Sequence, residues 1–255
     1  MEERARPEKD KNRKLQQIRQ ILPLLAELYP DIHPLLDYRN CFQLLIAVIL
    51  SAQCTDAQVN RVTPLLFEKY PGPGELVDAP VADIEAIIFS TGFYKNKARH
   101  LLNASALLIK RFDGSVPEAM EDLLCLPGIG RKSANVVRGH CFGLPAIIVD
   151  THFSRVSRRL GLATGKSPEQ IEREIAELIA AEQQTAFSMR INLHGRYICK
   201  AAKPNCSNCV LYDFCDFTAD LSKYSLPSPD CPGVFHFQSG LLNLVFNFLS
   251  AEPSL

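Results

Sequence analysis

Lys132 and Asp150 are the residues of this chain best suited to covalent chemistry. A neutral lysine amine can attack an electrophilic sugar carbon and carry the reaction on as a Schiff base. With an ordinary pKa of about 10.4, free amine is scarce near neutrality, so a nucleophilic lysine needs desolvation or cationic neighbours. Arg131, and the start of a helix directly after Gly130, are neighbours of that kind. Asp150 ends the apolar run AIIV and precedes a helix beginning at Thr151. That position suits an N-cap. A carboxylate at a wet helix mouth can also stabilise positive charge developing on a sugar, or handle a proton. Spacing alone does not bring the two residues together.

Ahead of Lys132 lies LPGIG, residues 126–130, joining two helical segments. Gly128 and Gly130 permit positive φ and let the backbone approach a ligand closely. The free N–H groups of the helix that follows suit a phosphate oxygen. A plain helix–turn–helix corner would use the same pentapeptide. The charge pattern separates the two: Arg131, Lys132, Arg138, Arg155, Arg158 and Arg159 oppose only Asp150 between 128 and 160. Such a stretch reads as an electrostatic footprint for nucleic acid.

The second cluster is Cys199-x6-Cys206-x2-Cys209-x5-Cys215. Four thiolates on one short loop suit zinc or an iron–sulfur cluster. Only one CxxC pair is present and no histidine follows, and the wide gaps favour a loop wrapped around a cubane over structural zinc. Four unrelated thiols is the remaining reading. Arg190, Arg196, Lys200 and Lys203 make the same loop locally basic, with no acidic residue from 190 to 203.

These residues need a frame. The chain has 255 residues, 47% hydrophobic, and a net charge of +0, so composition alone implies no basic nucleic-acid binder. No apolar run reaches the roughly 18 residues of a membrane span. The opening MEERARPEKDKNRK has no apolar core of a signal peptide, so the expected compartment is the cytoplasm, on the nucleoid in a prokaryote. Nine cysteines without a secretion signal are thiols or ligands rather than a disulfide framework; Cys41, Cys54, Cys125 and Cys141 read as small buried hydrophobes.

Nearly every periodic segment is helical. Leu15, Ile18, Ile21, Leu22, Leu25 and Leu28 form one stripe, and CFQLLIAVIL at 41–50 reads as a helix buried on all sides. Thr55 with Gln58 is a capping-box pattern, and Pro64 marks the first position of a second short helix. PGPG at 71–74 is a loop. Helices follow near 81–89, 95–112, 117–124, 131–142, 151–160, 168–181 and 186–199. The single strand-like run, 143–150, has no partner, so the fold class is all-α. From Asp216 the chain turns rich in Pro and Ser and ends with the apolar GLLNLVFNFL at 240–249.

Taken together, SAQCTDAQVN, TGFYKNKA, LPGIGRKSANVV, VDTHFSRVSRRLG and HGRYICKAAKPNCSNCVLYDFC resemble the endonuclease III family of DNA glycosylase/AP lyases over about residues 12–217. The resemblance implies the helix–hairpin–helix glycosylase fold. A six-helix barrel would span 34–144. A [4Fe–4S] domain would combine residues 1–33 with 145–217, leaving 218–255 as an atypical tail. It implies a monomeric enzyme acting on damaged double-stranded DNA, excising oxidised pyrimidines and nicking 3′ by β-elimination. Lys132 would be the nucleophile and Asp150 the essential carboxylate. Cys199, Cys206, Cys209 and Cys215 would hold the cluster. Gln53, Phe93, Leu126, Gly128, Gly130, Arg131 and Arg196 would contact DNA, with Phe93 as an intercalating wedge.

Two other readings compete. A monofunctional mismatch glycosylase would share hairpin, aspartate and cluster but usually lacks the lysine and carries a further domain. A non-catalytic iron–sulfur DNA-binding module would need neither Lys132 nor Asp150.

Overall fold

The computed structural model describes residues 2–218, with side chains from residue 9 onward. The tail from 219, including Cys231 and the apolar 240–249 stretch, lies outside the described residues. Eleven α-helices and no strand are found among the described residues, in agreement with the all-α expectation.

Six helices and a hairpin surround the first core. α2 (Cys41–Leu50) sits at its centre, with eight of its ten residues buried and its N-terminus capped by Asn40. Around it lie α3 (Asp56–Lys69), α5 (Val81–Ile88), α6 (Tyr94–Phe112), α7 (Met120–Leu124) and α8 (Arg131–Phe142), with α4 (Pro73–Val77) against α6. A second core gathers Ile18, Ile21 and Leu25 of α1 (Glu2–Leu28). They pack with α9 (Thr151–Arg159), α10 (Pro168–Ala176) and α11 (Gln184–Tyr197). α9 packs closely on α11: a Cβ on Gly195 would stand 2.9 Å from the His152 Cβ.

Several local expectations are corrected. Pro64 starts no helix; it sits inside a continuous α3. Proline there removes one helical hydrogen bond. Burial of Val59, Val62, Thr63 and Leu66 carries the helix across the break. Thr55 Oγ1 does cap α3, accepting from Gln58 N at 3.3 Å, but the Gln58 side chain turns away to Ser90, so the reciprocal half of the box is missing. A full capping box stands at Ser167–Gln170 instead. The expected 71–74 loop already contains the start of α4, with Pro73 at its first turn. The helix expected over 168–181 ends at Ala176. Gln184 Nε2 reaches back to the Ile179 carbonyl at 3.2 Å, satisfying backbone that a longer helix would have paired.

Candidate active site

Each sequence-predicted residue has a structural cause for its position. Leu126 and Ile129 are buried and anchor the hairpin in the first core. Gly128 has φ +86°, and a Cβ there would meet His100 Nδ1 at 3.0 Å and Ile49 Cγ2 at 3.1 Å. The hairpin therefore seats against the end of α2 and the second turn of α6 only as glycine. Gly130 is the N-cap of α8 and supplies no side-chain cap, so the N–H groups of the first turn are left to a ligand. Lys132 is exposed in that turn.

One turn along α8, the buried Asn135 donates from Nδ2 to the Ile147 carbonyl at 2.9 Å. That bond fastens α8 to the apolar 146–149 segment, which ends at Asp150. The Ser188 hydroxyl of α11 accepts from Ile148 N at 3.0 Å and fixes the same segment from the other side. The half-buried Asp150 caps α9, its Oδ1 accepting from Phe153 N at 2.7 Å. Its Oδ2 accepts from the Asn192 amide. Asn192 Oδ1 in turn accepts from Arg196 Nε at 2.9 Å, and Arg196 pairs with Asp56 Oδ2 at 3.0 Å. Asp150 thus sits at the end of a polar chain that runs along one face of α11 to the N-terminus of α3.

Gln53 and Phe93 are non-glycine residues in the left-handed region, with φ of 53° and 50°. Both are exposed, Phe93 to 65%. Such backbone costs on the order of 1–3 kcal/mol and persists only where the surroundings impose it. Their two loops are neighbours, since Gln58 Nε2 donates to Ser90 Oγ at 2.6 Å. Beneath them Lys97 is only 4% exposed, and its Nζ donates to the Thr91 carbonyl at 2.8 Å. Burial holds the Lys97 amine below the usual lysine range. Lys97→Met should remove the buried side-chain donor to the Thr91 carbonyl at nearly constant volume. We expect a loss of about 1–3 kcal/mol of stability in denaturant titration, from the unpaired buried carbonyl. Unchanged stability would mean that the loop holds itself.

The basic footprint is revised by the structure. Arg131 forms a two-pronged pair with Glu172 of α10, at 2.6 and 3.0 Å. Arg155 donates to the Cys199 and Gly195 carbonyls, and Arg158 to the Gly165 and Lys166 carbonyls. Arg159 holds the carbonyls of Lys200 and Ala201 and lies 3.2 Å from Cys199 Sγ. Arg190 is used on the Tyr29 carbonyl. Most of these guanidinium groups serve as donors to loops, leaving Lys132, Lys200 and Lys203 as exposed cations.

Cys199, Cys206, Cys209 and Cys215 come together on the second core. The Cys209 thiol is pushed up to about 11, chiefly by burial, with Cys199, Cys215 and Cys206 adding to the effect. His194, buried beside Cys209 with 3.3 Å between Nε2 and Sγ, is held down to about 4 by burial. Among the described residues, no three or more His, Cys, Asp or Glu side chains close on a single metal ion.

Asn192, Asp56, Glu172 and Lys97 were not singled out in the sequence. Ser188, Asn192 and Arg196 recur every fourth residue in a helix otherwise rich in buried side chains, and that stripe was the available signal.

Residues 46–181 match the family model of the HhH-GPD superfamily base excision DNA repair proteins. The endonuclease III of Synechocystis sp. is 47% identical over 203 residues, 79% of this chain and 93% of that protein. The endonuclease III of Escherichia coli K12 is 39% identical, over 78% and 94%. Two solved structures are 45% identical and cover 82% of this chain and 98% of theirs. One is a trapped endonuclease III–DNA covalent intermediate, TM-score 0.76, and the other a non-covalent endonuclease III–DNA complex, TM-score 0.77.

Proposed function

This chain belongs to the endonuclease III family of HhH-GPD base excision DNA repair proteins, and from that premise we propose that Lys132 is its nucleophile and Asp150 its essential carboxylate. The protein is a base excision repair DNA glycosylase, in a family for which AP lyase activity is typical. One observation carries the assignment. An exposed Lys132 in the uncapped first turn of α8 is tied through Asn135 to the segment that presents Asp150.

The substrate is damaged double-stranded DNA bearing an oxidised pyrimidine such as thymine glycol, bound by a monomer acting on the nucleoid in the cytoplasm. The damaged nucleotide leaves the stack, at a cost of a few kcal/mol that is lower for a damaged base. Phe93 wedges the duplex and Gln53 fills the gap. The N–H groups of the hairpin at Gly128 and Gly130 receive a phosphate, and Leu126, whose side chain is buried, takes part through its backbone. Arg131 and Arg196 reach DNA only by exchanging Glu172 and Asp56 for phosphate.

The Lys132 amine attacks the sugar anomeric carbon, the glycosidic bond breaks, and the base leaves with its electron pair and a proton. Asp150 stabilises the positive charge on the sugar. Ring opening gives a Schiff base to Lys132, which acidifies the neighbouring sugar proton. Loss of that proton expels the 3′ phosphate. Incubation with a duplex carrying one oxidised pyrimidine should give a nick 3′ to the lesion, and borohydride should join protein to DNA. Base release without nick or adduct would overturn the lyase half.

Cys199, Cys206, Cys209 and Cys215 would hold a [4Fe–4S] cluster. Four sulfurs gathered at one place match the four irons of a cubane, and the Arg159 guanidinium at Cys199 suits a thiolate. When bound, the cluster supplies iron–thiolate bonds that cross-link the loop. Cys206→Ser should lower the iron content from about four per chain and destabilise the protein, while leaving the hairpin sequence intact. A colourless, zinc-loaded and fully active wild type would refute the cluster.

A further inference from the structure

Cys41 and Cys141 lie 100 residues apart in sequence, on the other side of the first core from any role assigned above. Cys41 is the first residue of α2, and Cys141 is next to last in α8; the two helices pack together. Cys41 and Phe142 line one open groove, with Asn40 and Pro73. Both cysteines are free thiols and neither is fully buried. Helix packing brings the two thiols close enough to influence each other and the Tyr38 phenol, which burial holds above its usual range. Two packed hydrophobes would satisfy the composition, but would leave unexplained a thiol that lines an open groove beside a second thiol on the adjoining helix.

We propose that Cys41 and Cys141 form a dithiol–disulfide couple that exchanges with small disulfides of the glutathione class. The Cys41 sulfur, which lines the groove, is the one a solution disulfide meets first. As thiolate it displaces one glutathione as its thiolate and forms a mixed disulfide. The Cys141 sulfur then attacks Cys41, and its proton leaves with the second glutathione. The protein gives up two electrons and two protons, and the small disulfide is reduced to two thiols. Burial and the neighbouring Cys41 sulfur hold Cys141 as a thiol well above the usual range, so it is poorly suited to react first. The bond would staple the start of α2 to the end of α8, whose opposite end carries Lys132.

The test is peptide mapping of the purified holoprotein after equilibration with oxidised glutathione, alongside a thermal melt. We expect a peptide joining Cys41 to Cys141 that dithiothreitol dissolves. Closing a loop of this length should raise the melting midpoint by on the order of 10 °C. Cys141→Ser should stop at a glutathione adduct on Cys41, and Cys41→Ser should give no cross-link; both variants keep a small side chain at the groove edge. A glutathione adduct that persists on Cys41 of the wild type, or modification only at other cysteines, would overturn the proposal. The outcome does not depend on Lys132, whose trapping assay can be run on the same samples.

Discussion

Lys132→Ala is expected to lower strand nicking by at least about four orders of magnitude and to abolish the borohydride adduct. Damaged duplex should still bind, because the alanine leaves untouched the parts that hold the hairpin: buried Leu126 and Ile129, and Gly128 against Ile49 and His100. The first-turn N–H groups of α8 remain, and with them the phosphate site proposed there. The loss belongs to the chemical step, so it should appear in single-turnover rate and not in binding affinity. Lys132→Gln keeps length and polarity but has no nucleophilic amine, and it should fail equally. Mass spectrometry of the trapped wild-type complex should place the link on Lys132. If Lys132→Ala still traps, the nucleophile lies elsewhere, and the assignment of α8 as the catalytic helix falls.

Asp150→Asn should reduce excision by about two to four orders of magnitude, the range for a group that handles charge or a proton in the transition state. It is not a clean removal of charge. Asp150 Oδ2 accepts from the Asn192 amide, so an asparagine turned to keep the Phe153 cap aims its own N–H₂ at Asn192. If Asn192 flips to meet it, Arg196 Nε loses its acceptor. Either arrangement leaves a half-buried polar group unpaired, worth about 1–3 kcal/mol. The pair Asp150→Asn with Asn192→Asp repairs this. The new amide donates to the new carboxylate, and Arg196 keeps an anionic partner. The double variant should regain the melting temperature of the wild type and stay catalytically dead, because the carboxylate has moved from α9 to α11. Recovery of activity with recovery of stability would reduce Asp150 to a structural cap.

The hairpin, the lysine and the four cysteines were legible because each depends on short-range sequence: glycine at a positive φ, a helix starting after it, thiols at fixed gaps. The helices were legible wherever apolar period and caps agreed, as in α2 and α8. Pro64 misled because its local cost is fixed, whereas the tertiary burial that outweighs it is invisible along the chain. The basic count misled more seriously. Arg155, Arg158 and Arg159 look alike in sequence whether they meet phosphates or backbone carbonyls, and the loops that supply those carbonyls, at 165–166 and 195–201, are assembled only by the fold. Glu172 stands 41 residues from Arg131, beyond any pattern of adjacency. The link from Asp150 through Asn192 to Asp56 spans three helices and leaves only the fourfold spacing on α11 as its trace.

Gln53 and Phe93 bear on how this protein can be improved. Both hold backbone angles that glycine or asparagine would adopt at lower cost. Any selection scored on heat resistance alone would drift toward those two residues at both loops and register each replacement as progress. The gain would be real, and it would strip the two exposed side chains from adjoining loops beside the hairpin. A thermostable library from this scaffold therefore carries a built-in bias against the surface proposed to meet DNA, and positions 53 and 93 belong among those held fixed before the first round.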